Sequence, residues 1–123
     1  MTVVARAVYV LFGVLAIGLG LLALFRPALA LPPEAVSPLT AHLVREEGCA
    51  ALFVGLMAFW CVRHFERRRP VHFALLLFSA SFAAIHWYEY FQARRGLASP
   101  IANSIPLLAL LVITQPPQRQ GEA

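Results

Sequence analysis

The amino-acid sequence predicts an all-α polytopic membrane protein, a bundle of four transmembrane helices, and three observations support this fold class. First, 60% of the 123 residues are hydrophobic and only 13% are charged, with a mean hydropathy of +0.73. Second, the apolar residues form four long segments separated by short breaks rich in arginine and proline. Third, four spans of about 20 residues each use most of the chain, so it has room for one domain. This composition excludes an ordinary soluble domain.

The four segments have recognisable boundaries. Ser37 is a good N-cap and Pro38 suits a first helical turn, so this pair predicts the start of the second helix. An arginine-rich break over 63–70 separates the second helix from the third, and Ser99-Pro100 starts the fourth. Pro106 inside the fourth helix predicts a kink. The predicted helices cover residues 7–25, 38–65, 71–91 and 100–114, followed by a disordered polar tail over 115–123.

The first helix could be mistaken for a cleaved signal peptide, because Ala28-Leu29-Ala30 resembles a cleavage site. However, its apolar run exceeds the ~7–15 residues of a signal core, and Arg26 interrupts the approach to the site. We therefore predict a retained membrane helix.

The orientation follows from the arginines, which are the only basic residues, as glutamates are the only acidic ones. Four spans place the termini and the second-to-third break on one side, with six arginines against four on the other. Arginine favours the cytoplasmic side. The absence of lysine and aspartate indicates a GC-rich genome, as in many bacteria. The sequence thus predicts a bacterial inner-membrane protein with both termini in the cytoplasm, whose charges contact lipid and not nucleic acid. The two sets are Arg6, Arg63, Arg67, Arg68, Arg69 and Arg119, and Arg26, Arg45, Arg94 and Arg95.

Ionisable and polar residues intrude on the apolar segments mainly at ends that meet on the predicted outer face. Such groups are costly in a bilayer and tend to pair, to point inward or to mark a site. Helical phase puts Glu47 at the edge of a small-residue strip and Glu46 nearly opposite, so Glu47 is predicted to face the bundle. The candidate cluster comprises His42, Arg45, Glu46, Glu47, His86, Glu89, Tyr90 and Asn103.

Glycines predict where helices pack closely. Gly13 and Gly20 lie on one strip of the first helix, and Gly48 and Gly55 on one strip of the second, as expected for close helix contact. The two cysteines, Cys49 and Cys61, are about 18 Å apart along one helix, too far for a disulfide, and are expected to pack as small hydrophobes.

The arginine break predicts no chemistry of its own. His64 and His72 flank it and are interpreted as interfacial, and Arg67-Arg68-Arg69 as a topology determinant that could extend to anionic-lipid binding.

A family resemblance accompanies these patterns. Arg26-Pro27 follows a glycine-rich first helix, Arg45, Gly48, Leu52 and Gly55-Leu56 follow in the second, and then come an arginine-rich turn and an aromatic end to the third. Over roughly residues 6–114 the chain resembles the small four-helix bacterial inner-membrane proteins of the DoxX-like group. The resemblance implies a four-helix bundle and carries over no catalytic residue.

Three functions remain open. The first is a non-catalytic protein that binds a lipid or small hydrophobic ligand in a polar-ended pocket near the outer leaflet. The second is an accessory subunit, or a homo-oligomer, in which the glycine strips contact another chain. The third is an intramembrane enzyme with a His/Glu proton shuttle. The cluster could also simply tie two helix ends together. No catalytic residue, metal site or cofactor is predicted.

Overall fold

The computed structural model describes residues 2–92 and 96–114, which form an all-α fold with no strand in those ranges. Short 3-10 helices at Pro27–Ala30 and Pro33–Ala35 connect the first two α-helices, and Phe65–Arg67 connects the second to the third. The predicted tail 115–123, with Arg119, and the residues Arg94 and Arg95 lie outside the described residues. The α-helices are α1 (Thr2–Phe25), α2 (Pro38–Arg63), α3 (Arg69–Phe91) and α4 (Ala98–Val112).

Some helix ends differ from the sequence-based bounds. Helix α1 begins at Thr2 instead of residue 7, since no glycine or proline interrupts its first turns and Ala5 is fully buried. Helix α2 ends at Arg63, because Phe65 turns inward and is only 5% exposed. Helix α4 begins at Ala98, so Ser99 lies inside the helix and does not cap it. Pro106 lies within α4.

The predicted start of α2 is confirmed. The backbone N–H of Thr40 donates to Ser37 Oγ at 3.2 Å, and the backbone N–H of Ser37 donates to Thr40 Oγ1 at 2.9 Å. This reciprocal pair is a capping box, and Pro38 follows in the first turn, where its missing N–H costs nothing. The helix therefore begins at a well-defined residue beside the ionisable stretch that follows it.

Helices α1 and α2 form an antiparallel hairpin held together by facing glycines. A Cβ atom built on Gly20 would lie 2.9 Å from the carbonyl oxygen of Gly48, and one built on Gly13 would lie 3.2 Å from that of Gly55. These distances require glycine at the contact, because a larger residue would push the backbones apart. The glycine strips of the two helices thus contact each other within one chain.

Helices α3 and α4 form a second antiparallel hairpin, and the two hairpins share a core at one end of the bundle. We call this end the arginine end: it contains the start of α1, the Phe65–Arg67 turn and the end of α4. The opposite end, which contains the Pro27–Ala30 connection, is called the cavity end. The buried core residues near the arginine end are Ala5, Tyr9, Ala58, Cys61, Phe65, Leu75, Leu110 and Ile113.

Two of the described helices are long and apolar enough to cross a membrane. They cover Val3–Phe25, with a mean hydropathy of 2.6, and Arg69–Phe91, with 1.4. Only 22% of the most apolar stretch of α1 and 28% of that of α3 is buried within the protein. Most of their apolar surface therefore faces outward, whereas the core helix of a soluble protein is mostly covered.

Candidate functional site

Three residues of the predicted cluster come together at one cavity. Glu47 of α2 and His86 and Glu89 of α3 line a cavity of about 400 Å³ at the cavity end, between the two hairpins. This volume is within the range of small-molecule sites. The rest of the wall is apolar and comes from α2, α3 and the α1–α2 connection: Ala30, Leu31, Val44, Phe82 and Ile85.

The neighbouring residues on α2 point elsewhere. Glu46 Oε1 lies 3.3 Å from His42 Nε2, one turn away, and the two side chains are 63% and 66% exposed. Arg45 is exposed as well. Glu47 is exposed too, but it borders the cavity. Consecutive residues of a helix are 100° apart, so Glu47 can lie on the side of α3 while Glu46 lies on another side. The cavity thus receives one of the four ionisable side chains that the sequence places on this stretch.

The imidazole of His86 is oriented by its own helix. His86 Nδ1 lies 2.8 Å from the carbonyl oxygen of Phe82, and the two rings stack with centroids 5.5 Å apart. A carbonyl oxygen only accepts, so Nδ1 carries the hydrogen and donates. In the neutral ring, Nε2 is then the acceptor that can receive a hydrogen bond from a ligand.

Tyr90 and Asn103 do not line this cavity. The amide of Asn103 donates to the carbonyl oxygen of Ser99 at 2.9 Å, within its own helix. The ring of Tyr90 packs edge-on against Trp87, with centroids 5.8 Å apart. Trp87 Nε1 in turn donates to Ser104 Oγ at 3.0 Å and links α3 to α4. The contacts of Tyr90 and Asn103 thus lie within their own helices, and the bond from Trp87 to Ser104 joins the two helices of the second hairpin.

The cavity residues do not form a metal centre. In residues 2–92 and 96–114, no group of three or more His, Cys, Asp or Glu side chains is arranged to hold a metal ion. What the cavity offers is two carboxylates and one imidazole against an apolar wall. Glu89 already has an interaction within the protein. The Glu47 carboxylate and His86 Nε2 can accept hydrogen bonds from a ligand's donor groups, while the apolar wall covers an apolar part of the same ligand.

A second polar cluster, at the arginine end, was not predicted from the sequence. His72 is 5% exposed, although its place beside the arginine break suggested an interfacial residue. Its Nδ1 lies 2.7 Å from the hydroxyl of the fully buried Tyr9, and its Nε2 lies 2.8 Å from Thr114 Oγ1. The cluster therefore connects α1, α3 and Thr114, two residues beyond the end of α4. His64, in contrast, is exposed, with its ring 4.8 Å from that of Trp60.

The donors and acceptors of this cluster can be assigned. Thr114 Oγ1 donates its one hydrogen to the carbonyl oxygen of Leu110 at 2.9 Å, so it accepts from His72 Nε2. In the neutral ring His72 Nδ1 then accepts from the hydroxyl of Tyr9. Every hydrogen-bonding atom of the imidazole is used, which suits a structural contact. One pattern in the sequence could have indicated that His72 faces inward. His72, Ser79 and His86 are spaced seven residues apart, so they lie on one side of α3.

The two cysteines differ in their surroundings. Cys61 is fully buried in the shared core, as expected for a packing residue, whereas Cys49 is exposed. Both are free thiols. Cys49 thus departs from the packing role predicted for the pair.

No protein-family model, curated protein or solved structure matches this chain. The resemblance to the DoxX-like group therefore stays a prediction from sequence patterns.

Ser79 lies on α3 between the two polar clusters and allows a prediction about stability. Its side chain is 3% exposed, and no group in the described part of the chain makes a hydrogen bond with its Oγ. We expect Ser79→Ala to leave the free energy of unfolding unchanged or to raise it by up to about 1 kcal/mol, because it removes a buried hydroxyl without a partner. Unfolding in mixed detergent micelles, followed by circular dichroism, measures this.

The matched control is Ser104→Ala. Ser104 Oγ accepts from Trp87 Nε1 and donates to the carbonyl oxygen of Pro100 at 2.8 Å, so its loss should lower the free energy of unfolding by about 1 kcal/mol. A loss of similar size for Ser79→Ala would contradict the assignment of an unpartnered hydroxyl.

Proposed function

We propose that this chain is an integral membrane protein of four transmembrane helices, which binds a lipid or a small hydrophobic ligand in the cavity lined by Glu47, His86 and Glu89. The role is one of binding, with the polar part of the ligand held by Glu47 and His86 and with Glu89 beside them. The cavity between the hairpins is the observation on which this proposal rests.

The exposed apolar surface supports a location within lipid. Large apolar side chains on each of the four helices are more than half exposed, for example Leu19 at 63%, Phe53 at 62%, Leu77 at 70% and Leu108 at 59%. Soluble monomers rarely expose apolar patches of more than a few hundred Å². A bilayer covers such a surface on all sides, and helices satisfy their own backbone hydrogen bonds there.

A protein with four transmembrane spans requires that α2 and α4 cross the membrane, in addition to α1 and α3. The 26 residues of α2 extend about 39 Å, so the ionisable stretch near its start can reach the headgroup region while the remainder spans the core. The 15 residues of α4 extend only about 22 Å. This short helix fits a locally thinned bilayer, or a span completed by its flanking residues.

The orientation follows from the arginine end. Arg6, Arg63 and the Arg67-Arg68-Arg69 run lie there, which favours a cytoplasmic location of this end in a bacterial inner membrane. The cavity then lies near the outer leaflet, at a depth where polar headgroups and acyl chains are both within reach.

The cavity wall favours a particular ligand chemistry. Two carboxylates and an acceptor nitrogen complement ammonium, amide or hydroxyl donors, whereas the apolar residues suit a hydrocarbon part. An amphiphile with a donor-rich head group fits both. The enzyme alternative uses the same three residues, because the Nε2 atom of His86 is also suited to accept a proton. The subunit alternative is less favoured, since the glycine strips already contact each other.

Binding of phosphatidylethanolamine, whose head group carries an ammonium, tests the proposal. We expect Glu47→Gln and His86→Ala to weaken the binding of a fluorescent phosphatidylethanolamine to the purified protein about tenfold, because each removes a charge-assisted or imidazole hydrogen bond. Glu46→Gln is the matched control: this adjacent glutamate pairs with His42 outside the cavity, so binding should not change.

Two outcomes would count against ligand binding at this site, and a third would replace the binding role with a catalytic one. The first is equal binding by the wild-type protein, Glu47→Gln and His86→Ala. The second is stoichiometric co-purification of another membrane protein with no bound lipid, which would favour the subunit role. Conversion of the added lipid to a product by the wild-type protein but not by His86→Ala would favour the enzyme.

A further inference from the structure

Two arginines from distant parts of the chain meet at one aromatic ring. Phe65, in the turn between α2 and α3, is 5% exposed and belongs to the shared core. The guanidinium carbon of Arg68 lies 3.8 Å from its ring centroid, and that of Arg6, in α1, lies 5.1 Å from the same centroid. The two positive charges are therefore at most about 8.9 Å apart, the sum of these distances.

Arg68 is held in place at this position. One of its guanidinium nitrogens, Nη1, donates to the carbonyl oxygen of Phe65 at 2.7 Å while the group lies over the ring. Arg68 also interacts with the hydroxyl of Tyr9. A guanidinium carries five N–H donors, so donors remain for a further acceptor after these two contacts. Contact with an aromatic face stabilises a cation and so lowers the cost of holding the two charges close together.

Within the described residues neither Arg6 nor Arg68 forms an ion pair with a carboxylate, and Glu66, in the same turn as Phe65, is exposed. The ion pair found in the described ranges, between His42 and Glu46, is at the other end of the bundle. Helix α3 adds to the positive potential: it begins at Arg69, has 23 residues, and has no side-chain cap at its N-terminus. The N-terminal end of a helix carries a partial positive charge that favours anions.

We propose that Arg6 and Arg68 form a binding site for the phosphate group of an anionic membrane lipid. One phosphate between two guanidinium groups accepts charge-assisted hydrogen bonds from both, at N–O distances of about 2.8 Å. Phe65 positions the two arginines, and the start of α3 adds to the attraction. The site is separate from the cavity, although it depends on the proposed membrane location of the chain.

The surroundings favour a lipid over a free phosphate ion. Apolar side chains at this end of the bundle are exposed: Val3 by 79% and Val4 by 58%, just before Arg6 in α1, and Phe73 by 48%, next to Arg69. Acyl chains can cover this surface while the phosphate reaches the guanidinium groups, whereas a free ion uses only the charges. Basic residues beside membrane helices commonly recognise anionic headgroups in this way.

Quenching of tryptophan fluorescence by brominated lipid tests the site. Trp60 lies one turn before Phe65, and Trp87 lies near the other end of the bundle, so Trp87→Phe leaves a single reporter at the arginine end. In that background, brominated phosphatidylglycerol should quench Trp60 at lower concentration than brominated phosphatidylcholine. Arg6→Gln with Arg68→Gln should weaken the phosphatidylglycerol response about tenfold or more.

Matched controls use arginines at the other end. Arg26→Gln and Arg45→Gln remove exposed charges far from Phe65 and should leave the response unchanged. Arg6→Gln alone keeps the bond between Arg68 and the Phe65 carbonyl, so it provides a test if the double variant does not fold. It should weaken binding several-fold.

The proposal is overturned by any of three results. One is an unchanged phosphatidylglycerol response in Arg6→Gln and in the double variant. Another is an equal loss in the Arg26 and Arg45 controls, which would indicate a general effect of net charge. The third is displacement of the lipid by millimolar inorganic phosphate, which would assign the arginines to a free anion. None of these measurements depends on Glu47 or His86, so failure here and failure of cavity binding are distinguishable.

Discussion

Gly48→Ala is expected to lower the free energy of unfolding by about 2 kcal/mol, since overpacking a tight contact costs about 1–3 kcal/mol. A Cβ atom at this position would lie 2.9 Å from the carbonyl oxygen of Gly20, 3.0 Å from the Cβ of Ala23 and 3.2 Å from the backbone nitrogen of Leu24. None of these atoms belongs to a flexible side-chain end, so α1 itself must move. Gly48→Leu should separate α1 from α2.

Gly18→Ala is the matched control for this prediction. Gly18 is also a helical glycine, but a Cβ atom there meets nothing within 4 Å. Replacement with alanine should raise the free energy of unfolding by about 0.5–1 kcal/mol, because glycine loses more backbone entropy in a helix. Reversible unfolding in detergent, followed by circular dichroism, compares the two variants. Equal stabilities of Gly48→Ala and Gly18→Ala would contradict the close approach of α1 and α2.

The second large effect is expected at the arginine end. His72→Phe keeps a ring in the core but removes the hydrogen bonds to the Tyr9 hydroxyl and to Thr114 Oγ1. Cross-helix hydrogen bonds in membrane proteins contribute about 0.6–2 kcal/mol each, so the loss should be about 2 kcal/mol. The hydroxyl of the fully buried Tyr9 is left without its acceptor, which adds to this cost.

A double-mutant cycle measures this contact directly. Tyr9→Phe and His72→Phe each break the same hydrogen bond, so the double variant should lose less stability than the two single losses added together. His64→Phe is the control, since this histidine is exposed and its substitution should change stability by less than about 0.5 kcal/mol. Strict additivity of Tyr9→Phe and His72→Phe would mean that the hydrogen bond contributes nothing.

Local patterns predicted the all-α class and singled out Glu47, which lines the cavity although its side chain is exposed. A continuous helix fixes the angle between neighbouring residues, so the different environments of Glu46 and Glu47 follow from the 3.6-residue period. The same reasoning placed Gly48 and Gly55 on one strip. It did not say whether the strip contacts the first helix or another chain, because periodicity identifies a face and not its partner.

Long-range pairing could not be predicted in the same way. The hydrogen bonds of His72 join residues 63 and 42 positions apart in the chain, and their formation depends on how the two hairpins dock. Beside an arginine-rich turn, His72 therefore looked like an interfacial residue. His42 and Asn103 were placed in the candidate cluster, yet each finds a partner one turn away on its own helix. A side chain that bonds to a partner on its own helix is not directed into a shared site, and composition alone does not reveal such local bonds.

The position of the shared core at one end has a mechanical consequence. Helix α3 is about 34 Å long, so a tilt of only about 5° about the arginine end displaces its far end by about 3 Å. The two hairpins can therefore part at their far ends with little disturbance of the His72 contacts. If the chain lies in a membrane as proposed, such a separation opens the cavity sideways, towards the acyl chains of the lipid.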